Sequence, residues 1–164
     1  MNNENDNQMN NYRRGMVHFI LVHSYLIFFF AIILGVLFDT FIKQKILSDS
    51  IYQSVGVFML LIGSVIIYWA QKSSSNYKEK KSKNEKRSQF EFGPYKFLRS
   101  PTHFGLFIMT LGFALIINSF FSVVFTVVAY VITKLFFLKK EEKLLEKKYG
   151  QVYSEYKKKV RNWI

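Results

Sequence analysis

Residues 100–133 read SPTHFGLFIMTLGFALIINSFFSVVFTVVAYVIT, 34 positions without a Lys, Arg, Asp or Glu. As one helix rising 1.5 Å per residue, the block would measure about 51 Å. A bilayer's hydrocarbon core is roughly 30 Å thick and takes about 20 apolar residues to cross. The block is far too long for one crossing and a little short for two. Its flanks settle the matter. Nine Lys and Arg lie in residues 71–103 and ten in 134–164, and positive clusters stay on the cytoplasmic side of a membrane. Both flanks then share a side, so the block must enter and return as a tight hairpin turning near Asn118 and Ser119.

Two further blocks, 15–38 and 50–71, are also free of Lys, Arg, Asp and Glu. The mean hydropathy of +0.08 thus averages very apolar stretches with very polar ones. This pattern rules out a soluble enzyme. It also rules out a transmembrane β-barrel, whose strands would alternate with period two. The 23 Lys and Arg outnumber the 11 Asp and Glu, yet every basic residue lies in a segment flanking an apolar block. Such charge points to anionic lipid headgroups rather than to nucleic acid. There is no cysteine, so a disulfide framework, a thiolate metal site and a cysteine nucleophile are excluded.

The expected fold class is all-α, a multi-pass helical membrane protein with about four transmembrane helices, the last two forming the hairpin. Residues 1–15 are polar, with six Asn in the first twelve, and should be disordered. Arg13 and Arg14 precede an apolar run that resembles a signal peptide. The run continues to Phe38 without a small-residue cleavage site, so it reads as transmembrane helix one, 16–38. His18 and His23 on it read as interface residues. A short loop of net charge zero, 39–52, leads to helix two at 53–70, which ends in the interfacial pair Tyr68-Trp69. Residues 71–92 form a basic cytoplasmic linker, and 93–164 a final unit. Four passes with both termini cytoplasmic satisfy every loop. In the tail, Leu145, Tyr149, Val152, Tyr153, Tyr156, Val160 and Trp163 recur with helical spacing. They predict one amphipathic helix lying at the cytoplasmic membrane surface.

The hairpin has a chemical consequence. It returns Glu141 and Glu142, just after it, to the segment GPYKFLRSPTHFG at 93–105, just before it. Arg99 and His103 should then face Glu141 and Glu142 at the cytoplasmic boundary. A cation, carboxylates, a hydroxyl and aromatic rings beside an apolar wall suit a polar cofactor and an apolar substrate. Plainer roles are open to each residue. Gly93-Pro94 can be a turn, Pro101 the first residue of a helix, Arg99 a side chain reaching for headgroups, and the two glutamates partners of nearby lysines. No metal site is expected, since His18, His23 and His103 lack ligand spacing.

The segment from Gly93 to about Trp163 resembles the membrane methyltransferases of the isoprenylcysteine carboxyl methyltransferase and phospholipid methyltransferase superfamily. Their pattern is Gly-Pro-Tyr, three residues, Arg-His-Pro, any residue, Tyr, any residue, Gly. A hydrophobic hairpin follows, then Glu-Glu and a Tyr-rich helix. Here these appear as GPYKFLRSPTHFG and, at 141–160, EEKLLEKKYGQVYSEYKKKV. The resemblance implies S-adenosylmethionine bound at the cytosolic face under the C-terminal segment. The acceptor would be lipophilic or membrane-embedded, with a carboxylate or amine headgroup, and would enter from the bilayer. It implies cofactor-binding roles for Tyr95, Arg99, Ser100, Pro101, His103, Gly105, Glu141 and Glu142. Two positions depart from the pattern: Ser100 replaces its histidine and His103 its tyrosine. No arginine lies between Arg99 and Arg161, where prenylcysteine enzymes are expected to hold the substrate carboxylate, which speaks against that substrate. Steroid 5-alpha-reductase-type enzymes have a similar Arg-His-Pro motif and hairpin, and NADPH binding would mark them. A non-catalytic lipid-binding membrane protein would bind neither cofactor.

Overall fold

The computed structural model describes residues 2–42, 51–82 and 93–160. Residues 1, 43–50, 83–92 and 161–164 lie outside that description, as do the side chains of 2–21, His18 among them, and of 76–82, 148 and 149. Helix α1 spans Asn2–Ile42, α2 Ile51–Ser82, α3 Pro101–Ile116 and α4 Phe120–Ile132. A π-helical segment, Thr133–Leu138, joins α4 without a break to α5, Lys139–Tyr149, and α6 follows at Gln151–Lys159. No β-strand occurs among the described residues. Val22–Ile42, Ile51–Ser75 and Phe120–Lys147 are each long and apolar enough to cross a membrane, and Pro101–Ile116 is a shorter apolar helix. The chain is a multi-pass helical membrane protein. Its outward apolar side chains, such as Phe29, Phe58 and Phe136, have lipid as their natural solvent.

The turn falls where the sequence places it. Asn118 adopts a left-handed φ of 53°. Ser119 N–H donates to the Ala114 carbonyl and Asn118 N–H to that of Leu115, the paired bonds that close a helix C-terminus around a left-handed residue. Ser119 then caps α4 by accepting from Ser122 N–H at 3.0 Å. Its hydroxyl donates to Asp39 at the end of α1, and the Asp39 carboxylate faces the N-terminus of α4, where a negative charge is favoured.

Inside lipid the hydrophobic effect does not drive helix pairing, so small residues that permit close approach carry the packing. Gly56 and Gly63 of α2 meet Gly112 and Gly105 of α3 across an antiparallel interface. A Cβ at Gly63 would lie 2.6 Å from the Gly105 carbonyl oxygen, and one at Gly56 2.7 Å from that of Gly112. Gly35 of α1 abuts Ser122 of α4 in the same manner. Between these contacts lies the core of Phe28, Ala31, Leu106, Ala129 and Tyr130, with Phe107 stacked on Tyr130 at 4.2 Å.

Four expectations change. The polar start, expected to be disordered, is helical from Asn2, and α2 runs through Ser82 into the expected linker. Extending a formed helix adds one hydrogen bond per residue and needs no new nucleus. The hairpin arms are unequal: the first is 16 residues long, whereas the second carries an apolar helix through to Lys147. The expected single C-terminal helix breaks at Gly150, whose φ of +56° ends α5. Helix α6 then folds back, so that Tyr153 and Tyr156 pack with Leu145 and Val160 rather than solely facing a membrane surface.

This fold sets Ser73 of α2 against Gly93 and ties α6 to Tyr95, so both lie at one end of the bundle. Single cysteines at Ser75 and Ser154 should react with a membrane-impermeant maleimide from one side, and a cysteine at Ser48, between α1 and α2, from the other. Gly63→Val should lower unfolding stability in detergent by about 1–3 kcal/mol or more, because the added methyls meet backbone that cannot yield, and a thermal melt would read the loss.

Candidate active site

The site is assembled where the starts of α3 and α5 meet residues 93–99 and α6, beside Trp69 and Ser73 of α2. Gly93 is held at φ 60° against Ser73 and Trp69 of α2, where a Cβ would overlap Ser73 Oγ. A single 3-10 turn, Gly93–Lys96, starts there, with Phe97 N–H donating to the Pro94 carbonyl at 3.1 Å. Ser100 is the N-cap of α3 but makes no capping bond with its side chain, and Pro101 opens the helix, buried. Here the proline acts in its plain role, its fixed φ suiting the first turn.

Arg99 is the main tie of the region. Its Nε donates to the Val160 carbonyl at 2.6 Å and Nη2 to that of Lys157 at 2.6 Å. Its Nη1 meets Glu142 Oε1 at 3.2 Å. The guanidinium thereby caps the carbonyl end of α6, where a positive charge is favoured. Lys157 completes the network, its ammonium 3.1 Å from Glu142 and 2.9 Å from Glu146. Donating these hydrogen bonds to Glu146 and Glu142 raises the Lys157 pKa. The Tyr156 hydroxyl donates to the Tyr95 carbonyl at 2.6 Å, so α6 is fastened over residues 95–99 from both sides.

Beneath it lie the polar groups. Tyr95 has a pKa raised to about 12, chiefly by burial and then by the nearby Glu141 carboxylate, against a hydrogen bond to Thr102. It therefore remains a phenol that can donate. Burial also pushes the Tyr153 and Tyr156 hydroxyls up. His103 is buried on α3, with Nδ1 3.8 Å from Glu141 Oε2. That carboxylate oxygen is shielded from solvent and meets no hydrogen-bond donor among the described residues. A buried acceptor left without a donor is costly. It is the kind of atom that a ligand hydroxyl or ammonium satisfies.

The structure thus brings together Tyr95, Arg99, His103, Glu141 and Glu142, with Ser100 and Pro101 at the same helix start. Gly105 is different: it is turned away toward Ile67 and Gly63 of α2 and serves helix packing. Among the described residues no group of three His, Cys, Asp or Glu side chains is placed to hold a metal ion. Sequence reasoning missed Ser24, Thr102, Lys157 and the α6 carbonyls. Ser24 stood beside His23 as one of very few polar residues in the first apolar block, which was its only signal. The carbonyls carry no sequence signal at all.

Comparison with known families bears on this geometry. A model of the phospholipid methyltransferase family matches residues 33–152. The match runs from the last quarter of α1, through the motif segment and hairpin, into α6, and so contains Arg99, His103, Glu141 and Glu142. No curated protein and no solved structure matches the chain. With most of its length covered and its polar cluster inside the matched region, the chain belongs to the phospholipid methyltransferase family.

Proposed function

We propose that the protein is an S-adenosylmethionine-dependent methyltransferase acting on a lipid or other lipophilic acceptor at the cytoplasmic membrane boundary. The observation that carries this reading is the buried Glu141 Oε2, without a donor among the described residues, beside His103 and roofed by α6. The donor set fits the cofactor. Glu141 and Glu142 can accept from ribose hydroxyls or an ammonium, and the Tyr95 phenol can donate. Arg99 spends three N–H groups on Val160, Lys157 and Glu142. A guanidinium has five, and the remainder can meet a carboxylate. Bound there, S-adenosylmethionine would supply a methyl group on a sulfonium that is already a good leaving group.

What the protein must add is orientation and dryness. Tyr153 and Tyr156 of α6 cover the polar cluster, with Tyr153 1% exposed. Holding reactants in line can lower a barrier by up to about 7–11 kcal/mol. The apolar spans of α1 and α2 terminate near this level, at Val22 and Ser75, so an acceptor can keep its chains in lipid while its headgroup reaches the cluster. Basic residues crowd this end of the molecule, Lys139, Lys140, Lys143 and Lys157–Lys159 among them, which supports a cytoplasmic orientation and anionic headgroups nearby.

Calorimetric titration of the detergent-solubilised protein with S-adenosylmethionine should show saturable binding. Glu141→Gln should weaken it by about 1.5–3 kcal/mol, the usual worth of a hydrogen bond to a charged group. Label from the donor methyl should appear in the lipid fraction of reconstituted membranes. NADPH binding in its place would favour a reductase.

The ties to α6 yield a separate expectation. Arg99→Ala should release the end of α6, so that trypsin cleaves at Lys157–Lys159 about tenfold faster or more, and donor affinity should fall with it. Arg99→Lys keeps the charge without the planar fork and should recover only part of the protection.

A further inference from the structure

Ser24 is 1% exposed on α1, and its Oγ lies 3.2 Å from His103 Nε2. The other nitrogen of the ring, Nδ1, lies 3.8 Å from Glu141 Oε2. That distance is too long for a direct hydrogen bond. A serine, an imidazole and a carboxylate from three helices are therefore strung together, with one gap, between ring and carboxylate. The neighbouring His23 stacks on Phe137 at 6.5 Å, in the π-helical segment that leads to Glu141. Successive residues of α1 thus touch both the ring and the segment that carries the carboxylate.

The hydrogen-bond inventory gives this gap a preference. A neutral imidazole has one donor and one acceptor nitrogen, and its partner at one nitrogen sets the role of the other. An ionised Glu141 only accepts, so opposite it Nδ1 carries the proton, and Nε2 then accepts from the Ser24 hydroxyl. A group that bridges Nδ1–H and Oε2 from one side must then accept from one and donate to the other. A hydroxyl does both. An ammonium has no lone pair to offer, and an ionised carboxylate or phosphate has no proton to give. We infer that Ser24 is a positioning residue which, through His103, makes the pair His103 Nδ1–H and Glu141 Oε2 a subsite bridged from one side by a ligand hydroxyl, of the kind a nucleoside sugar presents. The inference rests on the methyl-donor reading, because the ribose of S-adenosylmethionine supplies such hydroxyls.

The test uses S-adenosylhomocysteine and its 2′-deoxy and 3′-deoxy analogues, titrated calorimetrically into the full chain in detergent. The wild-type protein should prefer the parent over at least one deoxy analogue by about tenfold or more. Ser24→Thr, which keeps the hydroxyl, should retain that preference. Ser24→Ala should bind the parent about tenfold more weakly, and its preference over the deoxy analogue should fall toward unity while its melting temperature stays near that of the wild type. A merely structural serine would lower affinity for all three ligands alike. Retention of the full preference in Ser24→Ala overturns the inference. So does a wild-type protein that binds parent and both analogues equally, a comparison that needs no variant and stands even where Ser24→Ala does not fold. A wild-type protein that binds none of them overturns the methyl-donor reading and the inference together.

Discussion

The close approach of helices at Gly56–Gly112 and Gly63–Gly105 is the constraint from which the rest of the structure follows. Helices in lipid gain little from burying apolar side chains against one another, so backbone proximity and dispersion must hold them. With α2 locked to α3 in this way, the top of α2 presents Trp69 and Ser73 beside Gly93. The motif segment is thereby fixed at one end by α2 and at the other by the Pro101 start of α3. The polar cluster inherits its geometry from an interface whose closest approaches fall at glycines.

Arg99 belongs to that inheritance in an unexpected way. Its residue type at the membrane boundary points equally to a ligand carboxylate or to headgroups. The structure shows it first as a clasp, since Val160 and Lys157 carbonyls and Glu142 take three of its hydrogen bonds. Two roles follow for one guanidinium: it holds the cover in place, and it remains able to turn charge toward whatever lies beneath. Glu142 is drawn into the clasp, whereas Glu141 keeps an oxygen in reserve. Adjacent in sequence, the two glutamates have different duties because a helix turns them about 100° apart.

Much of this was legible beforehand. The hairpin followed from charge placement and bilayer thickness alone, and its turn at Asn118-Ser119 from the polar pair that interrupts an apolar run. The meeting of Arg99 with Glu142, and of His103 with Glu141, followed from the hairpin. What escaped were features that residue identity does not encode. The α6 carbonyls that hold Arg99 belong to the backbone. Ser24 lies some eighty residues from His103 in the chain, and a lone serine in an apolar helix ordinarily bonds its own backbone. Gly105 was misleading for the opposite reason, because a glycine near a binding motif suggests ligand approach, whereas here it receives a helix. Gly150 shows how one left-handed residue converts an evenly periodic tail into two helices.

The π-helical segment Thr133–Leu138 governs how α4 and α5 are phased. Each residue added to or removed from a continuous helix rotates everything beyond it by about 100°. The apolar face of α4 is fixed against α1, so the angle at which Glu141 and Glu142 emerge is set by the number of residues in between and by the wider winding of this segment. Two surfaces with unrelated tasks, one packed against a neighbouring helix and one polar, are thus geared to one another along a single rod. The gear ratio is written in length rather than in side-chain chemistry: Leu135 and Phe136, exposed to lipid, could be exchanged for other apolar residues, but a one-residue deletion would leave both surfaces intact and facing the wrong way relative to each other.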